Sequence, residues 1–144
     1  MNWDKQYDAI VVGSGGGGLA AALTSAQEGA RTLIIEKAPG LGGSTLFSGG
    51  LLWIPKNHLM DKAGIPDSIE EALSYMRNCL GERGDEDRWR AFLSTGPEML
   101  KYMEKHTPLR FKIATAPDSF AEKTGGKIKG RNIEPYPLNP QILG

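Results

Sequence analysis

A glycine-rich turn between two apolar segments limits the folds open to this chain more than any other part of its sequence. Residues 7–12 are apolar and rich in β-branched side chains, and the run G-S-G-G-G-G follows with glycines in G-x-G-x-x-G spacing. Residues 15–29 have the composition of a helix, and residues 31–36 form a second apolar segment that ends on Glu36. This order predicts an α/β fold that opens with a Rossmann-like βαβ unit and a partial parallel sheet.

The glycines of this turn predict a site for the pyrophosphate of a dinucleotide. Gly13 permits the tight turn, Gly15 permits close approach of a ligand, and Gly18 permits close packing of helix on strand. The start of the helix carries unpaired backbone N–H groups and the positive end of a dipole, which together favour an anion. The candidate contacts of the turn are Gly13, Ser14, Gly15, Gly16, Gly17 and Gly18.

The acidic residue at the end of the second strand predicts the ribose contact. The Glu36 carboxylate can accept hydrogen bonds from ribose hydroxyls, and its charge would repel a 2′-phosphate. Lys37, the next residue, is also a candidate cofactor contact. A βαβ unit of this kind fits NAD and FAD proteins alike, and a glycine-rich turn in an ordinary βαβ unit is the plainer alternative.

Composition excludes several other classes of protein. Lysine plus arginine and aspartate plus glutamate both number 17, so the zero net charge gives no general reason to expect nucleic acid as a partner. Cys79 is the one cysteine, which excludes an intrachain disulfide and suits a reducing compartment. No apolar stretch approaches the about 20 residues of a membrane helix, so we expect a cytoplasmic protein without a membrane span. His58 and His106 have no spaced second ligand, so we expect no metal and assign both to solvated or capping positions.

The remainder of the chain predicts short helices, one strand and an irregular tail. Asp67 and Glu70 have capping-box spacing before a helical stripe, and Pro97 is expected to split the next helical pattern into two short helices. Residues 109–114 predict a short strand, after which no periodicity is visible. The run G-G-K-I-K-G-R superficially resembles a P-loop, but Arg131 and Asn132 stand where a lysine and a serine or threonine are required, so a P-loop is rejected.

A second glycine-rich stretch carries a more specific signal than the first. The pattern G-G-S-T-x-x-S-G-G-x-x-W-I-P-x-N at residues 42–57 resembles flavoproteins of the fumarate reductase and 3-ketosteroid dehydrogenase superfamily, most strongly the 3-ketosteroid dehydrogenase branch. Residues 130–138 resemble a second stretch of that branch. The resemblance implies FAD, with hydroxyl donors along its diphosphate and ribityl chain and glycines against the ring. The candidate contacts here are Gly42, Gly43, Ser44, Thr45, Ser48, Gly49 and Gly50.

Two absences narrow the type of flavoprotein. No cysteine lies between Lys37 and Asn57, so the redox disulfide of the disulfide reductases is not expected. No histidine lies there either, so a covalent bond between a histidine and FAD is not expected. The flavin is therefore expected to be held noncovalently.

The resemblance implies an oxidoreductase that takes a hydride from a saturated carbon and a proton from its neighbour, beside a carbonyl. The implied substrate is a small molecule such as a 3-ketosteroid or a similar alicyclic ketone. In the resembled branch a tyrosine near the segment aligned with residues 118–122 takes part at the active site, whereas Ser119 and Phe120 stand here. This departure puts steroid 1,2-dehydrogenation in doubt, and the catalytic residues are unknown. A noncatalytic nucleotide-binding fragment or inactive remnant is one alternative, and a NAD-dependent dehydrogenase, which leaves residues 42–50 unexplained, is the other.

The family pattern also predicts how the chain is organised. Residues 1–57 are expected to form the βαβ unit and glycine-rich loop that bind FAD, and residues 58–144 the beginning of an incomplete larger domain. Parallel strands need cover on both faces, and one crossover helix covers only one face. We therefore expect a fragment whose fold the remainder of a longer polypeptide completes, and which is marginal in isolation.

Overall fold

A computed structural model describes residues 4–139 and residue 141 of the chain, which divides into two compact units, Met1–Gly50 and Leu51–Gly144. The first unit contains strand β1 (Ala9–Val12), helix α1 (Gly16–Gln27), strand β2 (Thr32–Ile35) and the short helix α2 (Gly43–Leu46). The two strands pair in parallel, from Ala9 opposite Thr32 to Val12 opposite Ile35. The predicted βαβ unit and α/β class are confirmed.

The second unit combines helices with a small antiparallel sheet, in which β5 (Asn132–Pro135) lies between β3 (Leu52–Trp53) and β4 (Phe111–Ile113). Residues 109–114 contain the predicted strand, now bounded as β4. The central strand β5 was not predicted, because its four residues include a proline and bury only Ile133 fully. The elements are β3 (Leu52–Trp53), α3 (His58–Lys62), α4 (Ile69–Leu80), α5 (Glu86–His106), β4 (Phe111–Ile113) and β5 (Asn132–Pro135).

Two apolar clusters form the core of the second unit. One gathers side chains from the sheet and the second half of α5, namely Ile54, Leu100, Phe111 and Ile133. The other joins α4 to the first half of α5 through Ala72, Leu73 and Leu93. Burying a leucine stabilises a fold by about 1.5–3 kcal/mol, so the two clusters hold both halves of α5 in place.

The boundary between the two compact units follows Gly50, whereas the sequence predicted a boundary after Asn57. The residues between belong to the second unit, because Leu52 pairs with Ile133 and Ile54 lies in the sheet cluster. Asn57 is fully buried and its side-chain amide donates to the Gly130 carbonyl at 3.0 Å.

The N-cap of helix α4 lies one residue after the predicted cap. Its N-cap is Ser68, whose hydroxyl accepts from the Glu71 amide at 3.1 Å. The capping box predicted at Asp67 and Glu70 is therefore wrong. Asp67 instead pairs with Arg131, a partner far along the chain that local spacing could not indicate.

Helix α5 is continuous, so the predicted break at Pro97 is wrong. A proline inside a helix costs about 3 kcal/mol or more, because it removes one hydrogen bond and crowds the preceding turn. Leu93 and Leu100, both almost fully buried, lie on either side of Pro97 and together offset that cost.

One face of the parallel strands is exposed to solvent. Ile10 is 58% exposed and Val12 is 82% exposed, two positions on the same side of β1, while Ile35, opposite Val12, is 48% exposed. This agrees with the expectation of an uncovered apolar face. Among the described residues, no helix has the length and apolar character needed to cross a membrane.

Candidate functional site

The turn between β1 and α1 has the geometry that its glycines predict. Gly13 adopts a φ of +94°, in the left-handed region that favours glycine. A Cβ atom on Gly18 would lie 2.1 Å from the Gly13 carbonyl oxygen, a severe clash with backbone. Gly18 is therefore required for the close packing of α1 against the turn.

The N-terminus of α1, where the sequence predicts a pyrophosphate, is open at Gly15 and Gly17, while the Gly16 amide donates to Thr45 Oγ1. Its N-cap is Gly15, which provides no side-chain cap, and a Cβ atom built on Gly15 or Gly17 meets nothing within 4 Å. A helix N-terminus presents unpaired N–H donors and a positive partial charge. These features fit an anionic group that approaches the backbone closely.

The Glu36 carboxylate lies against this turn and is strongly hydrogen bonded. Glu36 Oε1 accepts from the Ala38 amide at 2.8 Å, and Oε2 accepts from the Ser14 amide at 2.8 Å and the Ser14 hydroxyl at 2.6 Å. The Ala38 and Ser14 donors lower the pKa of Glu36 from 4.5 to about 2. Glu36 is therefore an anion at neutral pH, held at a defined position beside the turn.

The second glycine-rich stretch joins the first through side-chain hydroxyls. The Gly42 amide donates to the Ser14 hydroxyl at 2.9 Å, and the Gly16 amide donates to Thr45 Oγ1 at 3.0 Å. A Cβ on Gly43 would lie 3.3 Å from the Gly15 Cα, so the two backbones are close together. Two segments that are separate in the sequence thus form one surface around the start of α1.

The other predicted contacts have fewer links to this surface. The Ser48 hydroxyl donates to the Thr45 carbonyl at 2.9 Å and accepts from the Gly50 amide at 3.1 Å, which closes its own loop. The remaining predicted contacts, Lys37, Ser44 and Gly49, are exposed.

Sequence reasoning missed a buried ionic network in the second unit. Arg131 has no exposed surface, and it donates to both Asp67 oxygens at 2.7 and 2.9 Å and to Asp118 at 3.0 Å. Asp118 also accepts from the Trp53 indole N–H at 2.7 Å and from the Lys127 amide at 2.9 Å. Arg131 lies in residues 130–138, which were noted for their resemblance to the family. No local pattern in the sequence predicted the partners of its side chain.

This network borders an apolar cleft of about 340 Å³ in the second unit. The Tyr75 hydroxyl accepts from the Phe120 amide at 3.3 Å, which ties one wall of the cleft to helix α4. Burial raises the pKa of Tyr75, so its hydroxyl stays protonated at neutral pH. The cleft is lined by Trp53, Tyr75, Met76, Cys79, Leu80, Ser119, Phe120 and Asn132.

The two histidines differ from each other in the structure. His58 is mostly buried, with 15% of its side chain exposed, and its Nε2 lies 2.9 Å from Glu104 Oε2, so its assignment as a solvated or capping residue is wrong. His106 ends α5 and stacks on Tyr102 with 4.3 Å between ring centroids.

Across residues 4–139 and 141, no three histidine, cysteine or carboxylate side chains cluster to hold a metal ion.

Comparison with known proteins identifies the family of the chain. Residues 8–141 match the model of the FAD binding domain family, so the chain belongs to that family and its cofactor is FAD. It is 44% identical over 143 residues to a 3-oxosteroid 1-dehydrogenase of Mycobacterium tuberculosis, covering 97% of this chain and 25% of the relative. It is 38% identical over 140 residues to a 4-oxocyclohexanecarboxylate 2-dehydrogenase of Sinomonas cyclohexanicum, covering 96% of this chain and 24% of the relative.

A solved structure has the same fold and comes from the same branch of flavoenzymes. The 3-ketosteroid delta1-dehydrogenase of Sterolibacterium denitrificans, in complex with 1,4-androstadiene-3,17-dione, superposes with a TM-score of 0.87 at 37% identity. The match covers 96% of this chain and 24% of that one. The predicted resemblance to the 3-ketosteroid dehydrogenase branch is confirmed, and the chain spans about a quarter of the length of these relatives.

Proposed function

We propose that this chain is the cofactor-binding part of an oxidoreductase that introduces a C=C bond beside the carbonyl of a cyclic ketone. The observation that carries the proposal is the convergence of Ser14, Glu36 and Thr45 on the open start of α1, in a chain of the FAD binding domain family. Two of its relatives are named for an oxosteroid and an oxocyclohexanecarboxylate, which share an oxo group on a ring system.

The first unit holds the ADP half of FAD in this proposal. The pyrophosphate lies at the start of α1, where Gly15 allows close approach, and the ribose hydroxyls donate to Glu36. The hydroxyls of Ser44 and Thr45 serve the diphosphate and ribityl chain. Bound FAD supplies the acceptor for a hydride from one saturated carbon, while the neighbouring carbon loses a proton.

The second unit contributes an apolar wall for the ring substrate. The cleft beside Trp53 and Phe120 presents mainly aromatic and aliphatic groups, which suits a hydrocarbon ring system. Ser119 and Phe120 carry no phenol, and the phenol that lines this cleft belongs to Tyr75.

The cofactor part is tested by purifying the protein and identifying what it retains. We expect a yellow protein that keeps FAD through gel filtration. A colourless protein that binds NAD in calorimetry would contradict the proposal, and one that binds neither would support a noncatalytic remnant.

The substrate part is tested by single turnover of the FAD-loaded full-length enzyme with 4-androstene-3,17-dione and with 4-oxocyclohexanecarboxylate. Bleaching of the flavin by either ketone under anaerobic conditions supports the proposed substrate class. Loss of colour with neither would remove the cyclic ketone assignment while leaving the assignment of the cofactor intact.

A further inference from the structure

Ser14 is the polar centre of the cofactor-binding unit, and it lies at one of the unspecified positions of the glycine pattern. It has no exposed surface, in a turn whose neighbours are partly open. Its hydroxyl accepts from the Gly42 amide at 2.9 Å and donates to Glu36 Oε2 at 2.6 Å. One side chain therefore links the end of β1, the residue that follows β2 and the start of the second glycine-rich stretch.

The hydrogen bonds of Ser14 determine which acceptor positions of the Glu36 carboxylate stay open to a ligand. A carboxylate offers about four lone-pair positions, two on each oxygen. Ser14 occupies both positions on Oε2 through its amide and its hydroxyl, and the Ala38 amide occupies one on Oε1. These three hydrogen bonds leave an acceptor position of Glu36 on Oε1.

We propose that Ser14 is a positioning residue for the adenosine ribose, directing Glu36 Oε1 to the ribose hydroxyl and holding the Gly42 backbone beside the same contact. The inference rests on the proposed role of Glu36 as the ribose contact. It adds that recognition of the ribose depends on a residue that does not itself touch the cofactor. The low pKa of Glu36 is consistent with this arrangement, since both Ser14 donors favour the charged carboxylate.

The test compares two ligands that differ only at the ribose. The purified full-length protein, freed of flavin, is titrated calorimetrically with ADP and with 2′,3′-dideoxy-ADP. The ratio of the two affinities reports ribose recognition, and a partly unfolded preparation leaves it unchanged because the folded fraction scales both affinities equally. A merely structural role for Ser14 would lower both affinities and preserve their ratio.

The Ser14→Ala variant removes the hydroxyl and keeps the backbone amide. We expect its preference for ADP over the dideoxy nucleotide to fall about fivefold, the size of one lost hydrogen bond. Glu36→Gln should lower the same preference, and the double variant should lower it no further than Glu36→Gln alone, because both changes act on one contact. Thr24→Ala is the control: its exposed hydroxyl donates to the Ala20 carbonyl within α1, and its ratio should equal that of the unaltered protein.

Two results would overturn the inference in different ways. If Ser14→Ala keeps or raises the preference for ADP while Glu36→Gln lowers it, then Ser14 does not position Glu36, although Glu36 remains the ribose contact. If Glu36→Gln also leaves the preference unchanged, the assignment of the ribose to Glu36 fails, and the role of Ser14 fails with it.

Discussion

Arg131 donates to both carboxylate oxygens of Asp67, at 2.7 and 2.9 Å, although the two residues lie on different segments of the second unit. Neither side chain has more than 1% of its surface exposed. The guanidinium also lies 5.8 Å from the ring centroids of Trp53 and of Tyr75. The interior of this unit is therefore organised around a charged pair as well as around its apolar clusters.

Removing one partner of this pair should strongly destabilise the second unit. Arg131→Met leaves Asp118 buried without its cation and leaves Asp67 with only Lys127 Nζ at 4.0 Å, and breaking such a pair costs about 3–5 kcal/mol. Denaturant unfolding followed by tryptophan fluorescence measures the loss. Arg88→Met is the control, since its side chain is 87% exposed and its pair with Asp85 should contribute no more than about 1 kcal/mol.

The same pair gives the second unit a defined response to acid. Burial raises the pKa of Asp67, but hydrogen bonds from Arg131 and from the Lys56 amide outweigh burial and lower the pKa below 3.8. The stabilisation is therefore complete above the ordinary pKa of an aspartate and is lost as the pH falls through the lower folded value. We expect Asp67→Asn to remove much of the acid dependence of unfolding, as measured by denaturant midpoints across that range; an unchanged dependence would assign it elsewhere.

Replacing two glycines of the same turn should have different effects, one on stability and the other on FAD binding. Gly18→Ala places a Cβ 2.1 Å from the Gly13 carbonyl, so α1 must shift and the first unit should lose stability. At Gly15 an added Cβ atom meets nothing within 4 Å, and the extended backbone there, with φ −64° and ψ 174°, accepts a side chain. The Gly15 variant should fold and yet fail to retain FAD, because its side chain occupies the space of the pyrophosphate.

Circular dichroism and flavin content together separate these two outcomes. A Gly15→Val protein that retains its normal flavin would show that the turn does not contact the cofactor. A Gly18→Ala protein with unaltered thermal stability would show that α1 and the turn are less closely packed than described.

Replacing Pro97 by alanine should stabilise α5. The substitution restores an N–H donor inside the helix and relieves the crowding of the preceding turn, a gain partly offset by the greater freedom of the unfolded chain. We expect a net gain of about 1–2 kcal/mol in the free energy of unfolding. Lys101→Ala, an exposed change on the same helix, provides the control and should shift stability by less than about 0.5 kcal/mol. A loss of stability in Pro97→Ala would mean that the proline shapes α5 to fit its neighbours.

The charge on Glu36 should persist well into acid solution. Its pKa of about 2 lies below the ordinary value of 4.5, so its stabilising contribution is full above 4.5 and is lost as the pH falls towards 2. Comparing unfolding of the unaltered protein and Glu36→Gln across this range checks the sign, since the difference between them should shrink as the pH decreases. A constant difference would mean that the carboxylate is not held by Ser14 and Ala38 in solution.

The βαβ unit was predictable because its determinants are local. Gly13 and Gly18 follow an apolar strand directly, and Glu36 comes at the end of the next strand, so periodicity and spacing define the unit without knowledge of distant contacts. The second glycine-rich stretch was indicated as a candidate binding segment only through resemblance, because its backbone approaches Gly15 only in the folded chain.

What sequence reasoning missed depends on contacts between distant residues. Ser14 occupied a position that the glycine pattern leaves open, and its link to Gly42 appears only when both loops are folded. Asp67 had the spacing of a helix cap, but pairing with Arg131 satisfied it better, and Ser68 capped the helix. Pro97 was expected to interrupt a helix, but burial of the leucines on either side of it outweighed the cost of a proline within α5.

The exposed side of the two parallel strands has a practical consequence for work in solution. Ile10, Val12 and Ile35 present a continuous apolar strip on strands whose outer edges are ready to pair with another chain. Copies of this chain prepared alone should associate through that strip as their concentration rises. An apparent dimer seen under such conditions then reports association through an uncovered sheet, and a dilution series is needed before any quaternary state is assigned to the protein.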